Sequence, residues 1–251
     1  MVPTWWYREL SPLHPEPGPG SFPATSFFAT LRGGAQAGAS QAALRVLLAI
    51  AAADRPPTGF QAQLSLDQLE ALTKLSRSMV LKGIKTAAER GLMAYTPGRP
   101  RNKSTFLLLQ GSEADSAGGW AKLPNAEVRE RIPAIPHRGD VGLAALKIYL
   151  TLIAARPSRN TVVSLRHDTL RLKTGCQTHH VRRAISLLAN AGLVHVLREE
   201  DSSDARYKAQ QYQICGKLDA PRQWNVEPLA PRQASQAPTP PLAPPDWRPP
   251  F

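Results

Sequence analysis

Apolar residues recur at helical spacing in the stretch 64–106 and predict two helices followed by a β-hairpin. Ser65 stands at the start of the first helix, and Gln68 follows three residues later, which is the pattern of a capping box. The first helix has one apolar face, made of Leu66, Leu69 and Leu72. A brief turn after this face leads into the second helix.

The second helix is predicted over 77–90, with Ser76 as its cap. Gly91 should end it, because the residue after a helix commonly needs a positive φ. The predicted inner face consists of Val80, Ile84, Ala87 and Ala88. The predicted outer face consists of Ser78, Lys82, Lys85 and Glu89. Strands are then predicted at 92–95 and 105–109, around a basic, turn-rich hairpin tip, and 61–64 is expected to be a short strand that pairs with this hairpin.

The same layout recurs further along the chain, over 163–213. Matching positions lie 101 residues apart and include Val80 and Val181, Ile84 and Ile185, Ala88 and Ala189, Gly91 and Gly192, and Leu92 and Leu193. Upstream, the apolar stretch 42–56 matches 144–157 at a similar offset. A common period over three helices indicates two copies of one structural unit. In the second copy Ser164 is the expected cap of the first helix of the pair, and the second helix is predicted over 177–190.

The segment LSLDQLEALTKLSRSMVLKGIKTAAERGLM resembles the winged helix-turn-helix family of DNA-binding domains. The match consists of a capped first helix, a Ser at the start of the second helix, a Val four residues into it, and a closing E-x-G-L. For a single copy, a helical hairpin used only for packing is the alternative interpretation. The resemblance covers about two thirds of the chain and implies a mainly α fold with small β-wings (α+β), built from two tandem winged helix-turn-helix domains.

Composition divides the chain further. We predict an N-terminal arm rich in aromatic residues and proline over 1–39, a first domain over 40–110, a linker over 111–119, a second domain over 120–216 and a proline-rich tail over 217–251. The arm is expected to lie across its own domains, with a homodimer interface as the alternative. The tail is expected to be disordered, although its terminal DWRPPF is also a candidate contact for a protein partner.

Charge favours a polyanionic partner. The formal net charge is +12, and basic residues exceed acidic residues by 10 to 4 over 40–110 and by 15 to 8 over 120–216. The excess therefore belongs to both domains, and an inert basic surface is the alternative. Two cysteines argue against a disulfide framework or a zinc module. Neither a signal peptide nor a membrane-spanning apolar run is recognised, so a cytoplasmic protein is expected. The resemblance implies that it is bacterial and associated with the nucleoid.

The resemblance implies which residues would meet DNA, because in this family the second helix lies in the major groove and the wing touches phosphate or the minor groove. The first copy offers Arg77, Ser78, Lys82 and Lys85 on the helix, and Arg99, Arg101 and Lys103 on the wing. The second copy offers Thr178, His179, Arg182 and Arg183 on the helix, and Arg206 and Lys208 on the wing. The second wing also carries an acidic tip, which phosphates would repel.

Residue type divides the roles of these candidates. Arg suits bidentate contact with guanine, whereas Lys and Ser more often hold phosphate. Arg77→Ala is therefore predicted to weaken binding by about 1–3 kcal/mol and to relax the base preference. Lys103→Ala is predicted to weaken binding to all sequences alike and to flatten the salt dependence.

The sequence also contains candidate metal ligands. Cys176, His179 and His180 lie close together in sequence, and Cys215 is the available further ligand. The alternative, a His pair that faces DNA or solvent, is preferred. We find no P-loop, no H-E-x-x-H motif and no paired histidines of a relaxase, so neither an enzyme nor a cofactor is expected.

Two functions fit a double-stranded-DNA-binding protein with this organisation. The first is a bacterial transcriptional regulator, with a plasmid or an integrative mobile element as a candidate setting. The second is a replication initiator of such an element, because tandem winged helices of unequal role resemble those of plasmid initiator proteins. A third class, a protein-interaction module that uses winged-helix folds, would require a copy without a basic outer face.

Overall fold

The computed structural model describes residues 2–3, 27–53, 61–98, 103–109, 120–157, 160–197 and 209–217. These residues belong to one compact unit, Met1–Ala220. The predicted linker 111–119, the second-wing tip and the proline-rich tail from 218 onward lie outside the described residues.

The described chain begins with a short strand and a single helical turn, followed by the first copy of the repeated unit. The opening elements are β1 (Val2–Pro3), α1 (Phe27–Thr30) and a 3₁₀ turn (Gly34–Gln36). The first copy contains α2 (Ala37–Ala52), β2 (Gln61–Leu64), α3 (Leu66–Thr73), α4 (Arg77–Glu89), β3 (Met93–Thr96) and β4 (Ser104–Leu108).

The second half of the chain repeats this order. It opens with β5 (Trp120–Ala121), α5 (Asn125–Arg131) and a 3₁₀ turn (Ile132–Ala134). The second copy contains α6 (Asp140–Ala155), β6 (Val162–Leu165), α7 (His167–Thr174), α8 (Thr178–Asn190), β7 (Val194–Leu197) and β8 (Gln210–Ile214). The mixed α+β class expected from the sequence is confirmed, and the two halves contain the same order of helices and strands.

Each copy contains a three-stranded antiparallel sheet of the same topology. The strand orders are β2-β4-β3 and β6-β8-β7, so the last strand of each copy is central. Ala62 pairs with Phe106 in the first sheet, and Val163 pairs with Tyr212 in the second. The prediction that 61–64 pairs with the hairpin is confirmed. The hairpin strands were predicted within one residue of their observed limits.

The helix starts show where local sequence rules apply and where they do not. Ser65 caps α3 in a reciprocal capping box, because its Oγ accepts from Gln68 N at 3.1 Å and its own N donates to Gln68 Oε1 at 2.9 Å. Ser76 occupies the N-cap position of α4 without capping it, since its Oγ lies 3.2 Å from Ser78 Oγ. The prediction that Ser164 caps α7 is wrong: Ser164 lies within β6, and Arg166 holds the N-cap position.

The core is organised around α2 and α6. α4 packs against α2, α8 packs against α6, and α2 packs against α6. The inner face of α4 contains Val80, Gly83, Ile84 and Ala87. The prediction that Ala88 belongs to this face is wrong, because Ala88 is exposed while Gly83 is buried. The helical stretch Gly34–Ala52 is long and apolar enough to cross a membrane by composition, but most of it is buried in this core.

The segments that precede α2 and α6 cross to the opposite copy. We call 27–36 the first leading segment and 125–138 the second leading segment. α1 packs against α7, whereas α5 packs against α2 and the following 3₁₀ turn packs against α3. β1 pairs antiparallel with β5, and Val2 is buried. The described part of the N-terminal arm therefore lies across its own chain, as expected. The aromatic residues before Phe27 lie outside the described residues.

Candidate nucleic-acid interface

The outer face of α4 is exposed, as the helical periodicity predicted. Ser78, Lys82 and Lys85 all lie on this face, and Arg77 stands at the first position of the helix. α4 approaches α2 closely, because a Cβ at Gly83 would lie 2.8 Å from the backbone carbonyl oxygen of Ala42. The position of this polar face is therefore fixed by the close packing of α4 on α2.

Carboxylates form ion pairs with two of these basic side chains. Arg77 Nη1 lies 2.8 Å from Asp67 Oδ1 and 3.3 Å from Glu70 Oε1, both on α3. Lys85 Nζ lies 3.8 Å from Glu89 Oε1, one helical turn away. Among the described residues Lys82 makes no ion pair. These exposed pairs are weak, but a phosphate or a base would have to compete with them.

The corresponding face of α8 has a different charge pattern. Thr178, His179, Arg182 and Arg183 are all exposed, and α8 contains no acidic residue. α8 thus presents two adjacent arginines without a carboxylate on the same helix. Since arginine can donate two parallel hydrogen bonds to guanine, α8 has the stronger donor set for a base edge.

Two histidine rings lie in contact at the start of α8, with their planes tilted by 56°. The ring centroids of His179 and His180 lie 4.0 Å apart. Burial and the neighbouring His179 lower the pKa of His180, with a further lowering by Arg183 and an opposing effect of Asp140. The neutral form of His180 is therefore favoured in the free protein. An approaching phosphate would favour the charged form.

The turn before each of these helices is built in the same way. Lys74 follows α3 with a φ of 54°, and Gly175 follows α7 with a φ of 65°. Thr73 Oγ1 donates to Leu69 O at 2.6 Å, and Thr174 Oγ1 donates to Leu170 O at the same distance. These equivalent bonds end the preceding helix, so that α4 and α8 start at matching positions in the two copies.

A buried cation lies beneath each turn, and our sequence-based predictions missed both. Arg45 Nη1 donates to Thr73 O at 3.1 Å, and Lys147 Nζ donates to Thr174 O at 2.9 Å. Both side chains are almost completely buried. Burial lowers the pKa of Arg45 to about 10 and also lowers the pKa of Lys147. A signal was present, since each is a single basic residue at the same point of the matched motifs AALRVLLAI and AALKIYLTL.

The structure describes only the base of each hairpin that the resemblance predicts to be a wing. Gly98 N donates to Ser104 Oγ at 3.2 Å, which closes the base of the first hairpin, and Lys103 is exposed beside it. The other predicted wing contacts, Arg99, Arg101, Arg206 and Lys208, lie outside the described residues. In the second copy, His167 Nε2 at the start of α7 lies 2.8 Å from Gln210 Oε1 at the start of β8, so α7 is bonded to the hairpin strand.

The candidate metal ligands do not form a metal-binding cluster among the described residues. Cys176 and Cys215 are free thiols. Burial raises the pKa of Cys176, whose Sγ lies 3.8 Å from Thr174 O. Within the described part of the chain, no three His, Cys, Asp or Glu side chains are grouped so that they could hold a metal ion.

The structure thus places eight of the predicted contact residues on two exposed helix faces and one at the base of the first hairpin. In comparisons with protein-family models, curated proteins and solved structures, no match to this chain was found.

Proposed function

We propose that the chain is a sequence-specific double-stranded-DNA-binding protein in which each copy acts as a winged helix-turn-helix domain. One observation carries this proposal: in both copies a left-handed turn precedes an exposed, basic helix face, and each copy has a three-stranded antiparallel sheet of the same strand order. An exposed helix of this kind fits the major groove, and its cations suit phosphates and base edges. The net charge of +12 supports a polyanionic partner.

The two copies would bind unlike half-sites. α4 presents serine and lysine side chains, whereas α8 presents threonine, histidine and arginine. Two helices fixed in one chain could contact major grooves about one turn apart, roughly 34 Å along the duplex. We infer that α8 makes the larger contribution to base specificity, because its arginines have no acidic partner on their own helix.

A bacterial transcriptional regulator is the biological role that we favour, with a cytoplasmic location at the nucleoid. Replication initiation at origin repeats is the second candidate, and the inequality of the two copies supports it. The same protein–DNA contacts would serve either role. The arrangement of target sites in the genome is what distinguishes them.

A genomic-fragment pull-down tests the proposal. The purified protein would be incubated with sheared bacterial DNA at about 150 mM salt, where nonspecific attraction to phosphate is partly screened. We expect recovery of a short motif. Single sites at promoters would support a regulator, and clustered repeats beside an AT-rich tract would support an initiator.

A pair of matched variants separates specific binding from bulk charge. Arg182→Gln with Arg183→Gln removes two charges from α8, whereas Arg32→Gln with Arg138→Gln removes two exposed charges from the leading segments. The first variant should lose the enriched motif and the second should keep it. Equal loss in both variants, or no enrichment by the native chain, would contradict sequence-specific binding and favour a protein-interaction role.

A further inference from the structure

The two copies are joined by an exchange of their leading segments. Phe28 and Leu31 of the first segment are buried, as are Ile132 and Ile135 of the second. The two segments make matching backbone hydrogen bonds, from Leu31 N to Phe28 O at 3.3 Å and from Ile135 N to Ile132 O at 3.1 Å. Each segment precedes the first helix of its own copy and packs on a helix of the other. The copies are therefore not independent modules on a tether.

Arg45 lies where this exchange meets the turn before α4. Its Nη1 donates to Thr73 O at the end of α3, in its own copy, and its Nη2 donates to Ile135 O, in the second leading segment. Gln41, one turn earlier on α2, donates through Nε2 to Pro136 O. A single guanidinium thus bonds to the turn that positions α4 and to the segment that leads into α6.

Lys147 is the natural control for this arrangement. It occupies the matching position of α6 and donates to Thr174 O at the end of α7. Within the described residues, no carbonyl of the first leading segment accepts from it. An ammonium group can therefore support the turn within one copy. The additional donor of Arg45 serves the contact between copies.

The guanidinium of Arg45 is held in an unfavourable environment. It is 1% exposed, and no carboxylate pairs with it in the part of the chain that the structure describes. Its acceptors are backbone carbonyls, including one at the end of α3, where the helix dipole favours a cation. Burying a charge without an oppositely charged partner costs free energy. Core stability alone therefore gives little reason for arginine here.

We propose that Arg45 is a positioning residue that fixes α4 relative to the second copy and thereby sets the half-site spacing that the protein accepts. This inference rests on the proposed DNA-binding function. α4, α2, α6 and α8 form a chain of three helix contacts, in which α4 packs on α2, α2 on α6 and α6 on α8. Arg45 lies on α2 and donates both to the turn before α4 and to the second leading segment.

DNA geometry makes spacing a sensitive test of this coupling. One added base pair moves a half-site by about 3.4 Å and rotates it by about 35° around the duplex axis. A rigid pair of helices must then lose contacts at one half-site. A pair joined flexibly would follow the displaced half-site with a much smaller loss.

The experiment uses the full chain and duplexes that the protein itself selects from a random library. The two half-sites would be separated by the selected spacer or by a spacer shortened or lengthened by one or two base pairs, and a duplex with one half-site would serve as reference. The native chain should bind the selected spacing at least about tenfold more tightly than the altered spacings. Arg45→Lys, which keeps the charge and the bond to Thr73, should reduce this preference to about threefold or less, with unchanged affinity for one half-site.

Two further variants keep the test decisive. Lys147→Met removes the cation that acts within the second copy, and it should leave the spacing preference intact even if overall affinity falls. Arg129→Gln removes the 2.8 Å bond from Nε to Ala52 O, another contact between α5 and α2, and it should relax the preference as Arg45→Lys does. If Arg45→Lys does not fold, Arg129→Gln tests the coupling between the copies, and an unchanged spacing preference in that variant overturns the inference.

The outcomes separate the inference from the function on which it rests. Equal binding of all spacings by the native chain, or a uniform loss for Arg45→Lys on every duplex including the single half-site, overturns the positioning role. Failure of the native chain to select any DNA overturns the proposed function, and the inference with it.

Discussion

The two copies share a backbone layout but differ in the charge of the helix face that we assign to DNA. The helix pair 66–90 of the first copy has five basic and three acidic residues, whereas the pair 167–191 of the second has four basic and one acidic. The number of basic residues alone therefore does not show which helix face has more charge available for DNA. What matters is how many are engaged by carboxylates, and on α4 both Arg77 and Lys85 are so engaged. The second copy, despite the acidic residues at 199–204, therefore has more basic side chains available on the helix face of the proposed DNA contact.

The largest expected effect compares equal losses of charge on the two helices. Arg182→Gln with Arg183→Gln should weaken binding to the selected duplex by about 2–4 kcal/mol, because two potential base contacts are lost. Lys82→Gln with Lys85→Gln should weaken binding by less than about 1.5 kcal/mol, since phosphate contacts are weaker and Lys85 also pairs with Glu89. A fluorescence titration would measure both variants. Equal losses would contradict the assigned inequality.

The helices and strands of each copy could be predicted from the sequence, because the residues that form and end them are close together in the chain. Helical spacing located the apolar face of α3, the capping box at Ser65 marked its start, and Gly91 marked the end of α4 with its φ of 66°. The offset of 101 residues then located α8 and its end at Gly192, whose φ is 68°, although the predicted cap at Ser164 was wrong. These features depend on residues within a few positions of one another, so a one-dimensional pattern contains them.

The interactions of the candidate site depend on contacts that the pattern does not contain. Arg77 meets Asp67 and Glu70 only because the turn at Lys74 folds α3 back beside α4. The crossing of the leading segments joins residues about 90 positions apart, such as Arg45 and Ile135. Lone basic residues in two matched apolar motifs were the one visible sign of the buried cations.

The second prediction tests how closely the helices approach in the two copies. Gly83 and Ala184 occupy matching positions on α4 and α8. A Cβ at Gly83 would meet backbone atoms of Ala42 at 2.8 Å, so Gly83→Ala should lower the free energy of unfolding by about 1–3 kcal/mol through overpacking. Ala184→Gly should lower it by only about 1 kcal/mol, the usual penalty for glycine in a helix. Denaturant titration would compare the two.

A stabilising effect of Gly83→Ala would contradict this difference in packing. It would mean that α2 and α4 can separate without loss and that α4 gains helix propensity. Because α4 carries the outer face on which the proposed function depends, DNA affinity should be measured on the same preparation. We expect both quantities to fall together in the first copy.

The third prediction concerns pH and arises from the second copy alone. His179 and His180 occupy the positions of Ser78 and Met79 in the first copy. The pKa of His180 is lowered in the free protein by burial and by His179, while bound phosphate would raise it, so binding takes up a proton. Affinity should therefore rise as the pH falls from about 8 to about 6, by up to about tenfold if the pKa rises by one unit on binding.

The chain offers its own control for this effect. His179→Ser with His180→Met installs the first copy's residues and should remove most of the pH dependence, while Asp140 and Arg183, which also affect His180, remain in place. Affinities would be compared across the pH range at constant ionic strength. An unchanged slope in the double variant would assign the proton uptake to another group.

The smallest expected effect is that of Arg77→Ala, for which the sequence alone predicted a loss of about 1–3 kcal/mol. The structure lowers this expectation, because DNA must displace two carboxylates to reach a guanidinium whose side chain is 58% exposed. We now expect a loss below about 1 kcal/mol, since surface ion pairs and the contacts that replace them are nearly balanced.

Asp67→Asn with Glu70→Gln is the informative partner variant. It releases Arg77, so it should strengthen binding, and Arg77→Ala on that background should weaken it by more than in the native chain. If Arg77→Ala has the same effect on both backgrounds, the acidic pair does not restrain Arg77, and the inequality between the two helix faces must then come from the arginines of α8 alone.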